Sequence, residues 1–393
     1  MVGLDWGTSW LAAARMVPDP DDGNKLKPKF RTQRNCYVAI NPDEFVERLL
    51  KQANMSYVRF EDEAEKVYVI GQDAMQLASM LATSGTGNRV DVQRPMAAGV
   101  MRGGINDVRI VQAIASQVLM APKEPKELVV FSVPADPIDH HEGMNTTHHR
   151  GMAETALRRL GWTPKAFPEA QAIIYATQPS METYDGGRAD FTGIGISCGA
   201  GMINVSVTYR GMETIGFSLA DAFGAGEGSS GDWLDHQLHI AYGQQFGSMA
   251  MCTRYKEQFT DFDRIVDPRY EDDTKLREYA AEVSKKATVN RNNIHWHYEV
   301  LASIRVWYSK LLDYIIDKLV TEFERRRPTI DGDLPVVLAG GAAKPDGFER
   351  LFAKRLAARP LPFGVGEDIK APDCMNTVAL GCLAVAISQE DKE

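Results

Sequence analysis

One pattern occurs twice in this chain and restricts the fold more than any other feature: an alternating apolar strand, a turn almost without side chains, and a second strand. In the stretch from Gly193 to Leu238, Ile194, Ile196 and Cys198 alternate with small residues. Gly199-Ala200-Gly201 makes a turn, and Ile203, Val205, Val207 and Tyr209 alternate again, which predicts a tight hairpin. A turn with no bulky Cβ lets backbone N–H groups point together at an anion such as a phosphate. A further strand is expected over Glu213 to Phe217. A Gly/Ser-rich loop then ends in Ser230-Gly231-Asp232, just before a helix carrying Trp233, Leu234, Leu238 and Ile240. Free N–H groups and the helix dipole at such a start favour negative charge. The chain opens the same way, with Val2-Gly3-Leu4-Asp5, Trp6-Gly7-Thr8-Ser9 and Trp10-Leu11-Ala12-Ala13-Ala14. Two such units, one opening each half, imply an internal duplication with a ligand between the halves.

These turns resemble the first and second phosphate loops of the actin, heat-shock-chaperone and sugar-kinase superfamily. Val336-Val337-Leu338-Ala339-Gly340-Gly341-Ala342 resembles its adenosine loop. Within the superfamily the likeness is to MreB-like bacterial actins: Val69-Ile70-Gly71-Gln72-Asp73-Ala74, followed by Arg94-Pro95-Met96 and Gly99-Val100, is similar to their "VGEEAK…RPLKDGVI" segment. The resemblance covers nearly the whole chain. It implies an α/β actin-like fold, with two duplicated lobes, each a central mixed sheet flanked by helices, and a nucleotide cleft between them.

The 393 residues exceed what one core usually supports, so two domains are the default. With 44% hydrophobic and 25% charged residues the chain has a soluble globular composition, and its net charge of −9 argues against broad nucleic-acid binding. Cys36, Cys198, Cys252, Cys374 and Cys382 form no CxxC pair, which suits reduced thiols and a cytoplasmic location. No signal peptide and no bilayer-length apolar run is expected.

Domain I is expected over residues 1–178, with a compact outer subdomain at about 30–100. Domain II is expected over 179–369, with an outer subdomain at about 235–295, and residues 370–393 return to domain I as a connecting helix and tail. Pro18 to Gly23 reads as a polar turn, Glu63 to Gln72 as a strand leading into a helix at Ala74 to Leu81, and Ser84 to Asn88 as a loop. Glu127 to Pro134 is a continuous apolar run of the kind a buried parallel strand requires. Met152, Ala156, Leu157 and Leu160 follow helical spacing up to Gly161. Val300, Ile304, Trp307, Leu311, Tyr314, Ile315 and Leu319 mark a long amphipathic helix. Pro335 to Leu338 reads as a strand and Gly347 to Leu356 as a helix.

Asp5 ends the first strand beside a Gly turn. A carboxylate there can hold hydrated Mg²⁺, with Thr8 and Ser9 offering donors to a β-phosphate; the alternative is an Asx-turn that caps the hairpin. Phe167-Pro168-Glu169-Ala170-Gln171-Ala172 resembles the family's "EPxAAA" connecting segment, and the resemblance makes Glu169 the residue that positions an attacking water. On the residues alone, Glu169 is an acidic side chain favoured at a helix start. Ala280 to Lys286 resembles "AExxK", which directs Glu282, Lys285 and Lys286 to ribose and adenine; a solvated charged face is the alternative. Gly340, Gly341, Ala342 and Lys344 would let backbone pass close to adenine. His140, His141, His148 and His149 match no zinc spacing and read as a solvated helix-entry loop. Trp296, Tyr298, Trp307 and Tyr308 read as core and subunit-contact surface.

The chain departs from the family's "DxGGGT" at the second turn. Ser197 stands where the metal-associated carboxylate is expected, Met202 replaces the Thr, and Asn204 replaces a second acidic residue. Binding through the N–H groups of Gly199, Ala200, Gly201, Gly231 and Asp232 survives such changes, while Mg²⁺ binding and hydrolysis weaken. The resemblance therefore implies an ATP/ADP- and Mg²⁺-binding cytoskeletal protein that polymerises with itself and hydrolyses ATP slowly. A peripheral membrane or cargo adaptor stays open as a partner. Two other readings stay open: a chaperone-like or binding-only nucleotide switch, and a small-molecule kinase of the same superfamily.

Overall fold

The structure, a computed structural model, describes residues 1–23, 25–41, 43–63, 65–83, 91–139, 145–177, 191–224, 229–370 and 373–390. The expected loop at Ser84 to Asn88 and the side chains of His140 and His141 lie outside the described residues.

In chain order the first half forms β1 (Val2–Trp6), β2 (Trp10–Pro18), β3 (Leu26–Arg34), β4 (Tyr37–Ile40), α1 (Glu44–Gln52), β5 (Tyr57–Val58), β6 (Val67–Ile70) and α2 (Gln72–Thr83). Next come β7 (Met96–Ala97), β8 (Val100–Met101), α3 (Ile105–Leu119), β9 (Leu128–Val133), α4 (Thr146–Arg159), β10 (Thr163–Pro168) and α5 (Glu169–Thr177). The second half contributes β11 (Gly193–Cys198), β12 (Ile203–Tyr209), β13 (Met212–Leu219), α6 (Gly231–Phe246), α7 (Met249–Phe259), α8 (Thr274–Lys286) and α9 (Ile294–Arg326). It closes with β14 (Asp333–Ala339), α10 (Phe348–Ala357), β15 (Gly364–Lys370) and α11 (Thr377–Glu390).

The described residues gather into two compact units. One is built from Met1–Pro134, Gly143–Ala176 and Asn376–Glu393, the other from Ala135–Glu142 and Thr177–Met375. Each holds a five-stranded sheet, and the two sheets share one plan. In the first the order is β10-β9-β1-β2-β3; in the second, read from the opposite end, it is β15-β14-β11-β12-β13. In both, the hairpin strand that opens the unit pairs antiparallel with its successor and parallel with a later strand. The expected duplication is thus present in strand order and direction, and the strands left unread by the alternation (β3, β10, β15) complete it.

β9 reads Leu-Val-Val-Phe-Ser-Val because it lies between β1 and β10, both parallel to it. Such a strand has no solvent face to populate with polar residues. Ala12 and Ala14 of β2 pack against Ala379 and Leu383 of α11, and small residues there let the returning helix lie close to the sheet. In the second unit α9 is 33 residues long, about 50 Å at the usual helical rise. It starts where the Asn293 side chain accepts the Trp296 N–H and ends at Arg327, whose left-handed φ of 44° precedes Pro328. Trp296 and Tyr308 are buried in this core, as expected, and Trp307 and Tyr298 flank it.

β3 is an outer strand with Lys25, Lys27, Lys29, Arg31 and Arg34 along or beside it. Asp19 N–H donates to Lys25 O and Asn35 N–H to Ser9 O, so odd-numbered residues turn their backbone groups toward β2 and even-numbered ones outward. Pro28, which has no N–H, occupies one of the outward positions.

Candidate functional site

The two Gly turns are twins in register. Asp5 pairs with Ala12 and Trp6 with Leu11; Ser197 pairs with Asn204 and Cys198 with Ile203. Gly7 N–H then donates to Trp10 O at 3.1 Å, and Gly199 N–H to Met202 O at 3.0 Å. A Cβ on Gly7 would lie 2.6 Å from Trp10 O, and one on Gly199 2.8 Å from Met202 O, so each closure requires glycine.

Each turn has its carbonyl groups tied from behind. In the first unit Asn35, fully buried, donates its backbone N–H to Ser9 O at 2.9 Å and its Nδ2 to Gly7 O at 3.0 Å. In the second, Gly231 N–H donates to Gly199 O at 3.2 Å and Asp232 N–H to Ala200 O at 2.8 Å. The N–H groups of Thr8, Ser9, Ala200 and Gly201 have no acceptor among the described residues. A turn with occupied carbonyls and uncommitted N–H groups is an anion cradle. The Thr8 hydroxyl, buried, accepts the Gly99 N–H at 3.1 Å, which seats the β7–β8 hairpin on the first turn.

One expectation is corrected by this geometry. The N–H groups of Gly231 and Asp232, read from the sequence as free at a helix start, are already donated to the second turn. The start of α6 is therefore bonded to the second turn. Ser230, at the N-cap, makes no side-chain cap bond, and its buried hydroxyl has no partner among the described residues.

Asp5 leads into the first turn, and its Oδ1 accepts from the Ser132 hydroxyl at 3.0 Å; that hydroxyl in turn accepts the Trp6 N–H at 2.9 Å. Burial drives the Asp5 carboxyl well above the ordinary carboxylate range, the charge of Glu169 adds to the rise, and the Ser132 bond opposes it. Glu169 is the first residue of α5 and acts electrostatically on both Asp5 and the buried Cys382 of α11. The first unit thus brings Asp5, Glu169, Gly7, Thr8 and Ser9 to one place. Ser132 was not legible in the sequence, where it reads as a small residue inside an apolar run.

In the second unit Ser197 and Asn204 are both buried, and Asn204 Oδ1 accepts the Ala135 N–H at 3.1 Å. Its amide therefore braces the chain after β9. Gly340 has φ of 93°, and a Cβ there would sit 2.4 Å from Cys198 O, so the turn after β14 lies against the end of β11. Gly341 is exposed beside Met375, Ala342 is buried, and Lys344 is exposed. Glu282 on α8 is engaged by Arg264, whose Nη1 lies 3.0 Å away, with Lys286 3.9 Å off and Lys285 exposed. This is a charged outer face held by a surface ion pair.

His149 corrects a further expectation. It is fully buried on α4, with Nδ1 accepting the Met101 N–H at 3.2 Å, and burial, with His148 adding, pushes its ring down to about 4. Among the described residues no cluster of His, Cys, Asp and Glu could hold a metal ion by itself.

A family model described as Volactin matches residues 1–386. The chain belongs to the volactin family. No curated relative matches the sequence. Among solved structures, this volactin-family chain is similar to the MamK double helical filament, with 16% identity over 98% of each chain and a TM-score of 0.60. It is also similar to MreB5 of Spiroplasma citri, with 14% identity over 100% of this chain and 97% of that one. The TM-score is 0.57 against the ADP-bound form and 0.58 against the AMPPNP-bound form. At these identities the likeness carries the fold, which is that of an MreB-like actin. No helix among the described residues is long and apolar enough to cross a membrane.

A buried ion pair in the volactin-family chain went unread in the sequence. Lys256 Nζ lies 2.7 Å from Asp235 and donates to Gly231 O at 2.7 Å, and Thr253 Oγ1 donates to Asp235 Oδ2 at 2.7 Å. Burial leaves the Asp235 carboxyl above its ordinary range even with these partners.

Proposed function

We propose that this chain is an ATP-binding, actin-like cytoskeletal protein that assembles into filaments in a nucleotide-dependent way and hydrolyses ATP slowly. The observation that carries the reading is the pair of register-equivalent Gly turns, each with tied carbonyls and uncommitted N–H groups. A polyphosphate is the ligand such cradles suit, since it offers several anionic oxygens to donors that need no reorganisation. The residues present also fit a hydrated Mg²⁺: Asp5 would hold it through water, and the ion would supply charge neutralisation at the phosphates. Glu169, the first residue of α5, would position an attacking water, a reading supported by its electrostatic influence on Asp5. Ser197 supplies a hydroxyl where a second carboxylate would orient water and metal, and this is the reason hydrolysis is slow. The filament reading is supported by similarity to MamK, and the nucleotide reading by similarity to MreB5 bound to ADP or AMPPNP.

The test is titration calorimetry with ATP and ADP, with and without Mg²⁺, followed by pelleting and negative-stain microscopy with ATP, AMPPNP and ADP. Binding together with filaments that depend on the nucleotide supports the proposal. A protein that binds neither nucleotide, or stays monomeric across concentrations and nucleotides, removes it. Ser197 also favours a second reading, a switch that binds nucleotide with negligible turnover. The two separate in single-turnover hydrolysis: a slow parent rate that rises in Ser197→Asp is expected, and a parent as fast as that variant overturns the assignment.

A further inference from the structure

We propose that the buried Lys256 is a positioning residue for the second Gly turn, delivering its charge to the Gly201 N–H through two peptide groups. The inference rests on the nucleotide reading of that turn.

The path is continuous in the hydrogen bonds. Lys256 Nζ donates to the Gly231 carbonyl at 2.7 Å. That carbonyl belongs to the same peptide group as the Asp232 N–H, which donates to the Ala200 carbonyl at 2.8 Å. The Ala200 carbonyl in turn shares its peptide group with the Gly201 N–H, one of the uncommitted donors of the turn. Hydrogen bonds in series polarise one another, so an ammonium at the head of the chain makes the last N–H a stronger donor.

Two features argue against a purely structural role for the pair. The Lys256 and Asp235 side chains are only 8% and 5% exposed, and a buried ion pair is seldom better for stability than apolar residues of the same volume. Lys256 lies in the last turn of α7, where a cation is favoured, but its Nζ reaches the first residue of α6, the end of a helix where a cation is disfavoured and an anion favoured. At the start of α6 that charge opposes the helix dipole, whereas an anion bound beyond the turn would gain from it. Asp235, one turn along α6, offsets the cost, and Thr253 holds Asp235. At the first turn the corresponding carbonyls, those of Gly7 and Ser9, are held by Asn35, whose side chain is a neutral amide.

The test compares ADP with adenosine, since a relay aimed at phosphate affects only the former. Lys256→Met alone leaves Asp235 buried and unpaired and is expected to misfold. The informative variant is therefore Asp235→Asn with Lys256→Met, which removes both charges at nearly constant volume. It is expected to unfold at the urea midpoint of the parent, to bind adenosine unchanged, and to bind ADP about tenfold more weakly, as for loss of one charge-assisted donor. Thr253→Val, which touches Asp235 without touching the relay, is expected to keep the parent ratio of ADP to adenosine affinity. Unchanged ADP affinity in the folded double variant, or an equal loss of both ligands, overturns the proposal, as does a Thr253→Val loss matching that of the double variant. A parent chain that binds no ADP fails the nucleotide reading itself, a different result from a parent that binds and a double variant that binds equally.

Discussion

Asp5 shows how much of this chain's chemistry depends on one side chain that the sequence does not advertise. Its oxygen is held by Ser132, from a strand more than a hundred residues away. Removing that hydroxyl in Ser132→Ala orphans the Trp6 N–H as well as freeing the carboxyl. A stability loss of about 1–3 kcal/mol is expected in urea unfolding, together with weaker Mg²⁺-dependent ATP binding. Gly340→Ala probes the second unit in the same way. Its positive φ alone costs about 1–3 kcal/mol for a residue with a Cβ, and the contact with Cys198 O adds to that, so a larger loss is expected in the same measurement. The sequence revealed the glycines because alternation on both sides marks a turn. It concealed Ser132 because small polar residues inside apolar strands look like filler until a partner strand is placed beside them.

At the scale of elements, α4 and the β7–β8 hairpin meet through His149, and the contact carries a pH dependence of definite sign. The folded ring titrates at about 4, against roughly 6.5 for histidine in an unfolded chain. Between those values the unfolded chain takes up a proton that the folded one refuses. Stability therefore rises with pH across the window and is lost as pH falls, by about 3 kcal/mol at most. His149→Gln, which keeps an acceptor for Met101 N–H, is expected to flatten the difference between urea midpoints at about pH 7.5 and about pH 5. The sequence could not place His149 inside, because its flanking residues are polar and only the packing of α4 against β8 buries it. The strand expected over Glu63 to Gln72 does lead into a helix, α2, but it holds only Val67–Ile70, preceded by a 3₁₀ turn at Glu61–Glu63, because acidic and basic residues up to Lys66 have no sheet face to occupy. α3 passed unread although its buried residues, Val108, Val111, Ala115 and Val118 among them, keep helical spacing. It begins at Gly104 with no side-chain cap, and so lacks the start signal on which a reading of helix ends relies.

For the whole molecule, the repeated sheet plan means that the fold was legible from its two turns, while their chemical inequality was legible at Asp5 against Ser197 and at Met202 and Asn204. If both turns serve one ligand, losing either should abolish binding. Gly7→Val and Gly199→Val are each expected to remove the rise in melting temperature produced by saturating ATP. For the parent that rise corresponds to about 2.7 kcal/mol at a hundred times the dissociation constant. A variant of one turn that keeps the full shift would show that its turn takes no part. Assembly is a separate matter, and here the outer strand β3 has a consequence. A row of lysines with a proline at an outward backbone position refuses recruitment of a neighbour's strand. Along that border a second copy of the chain would meet charged side chains and a proline in place of an open backbone ladder, so edge-to-edge sheet growth is disfavoured there.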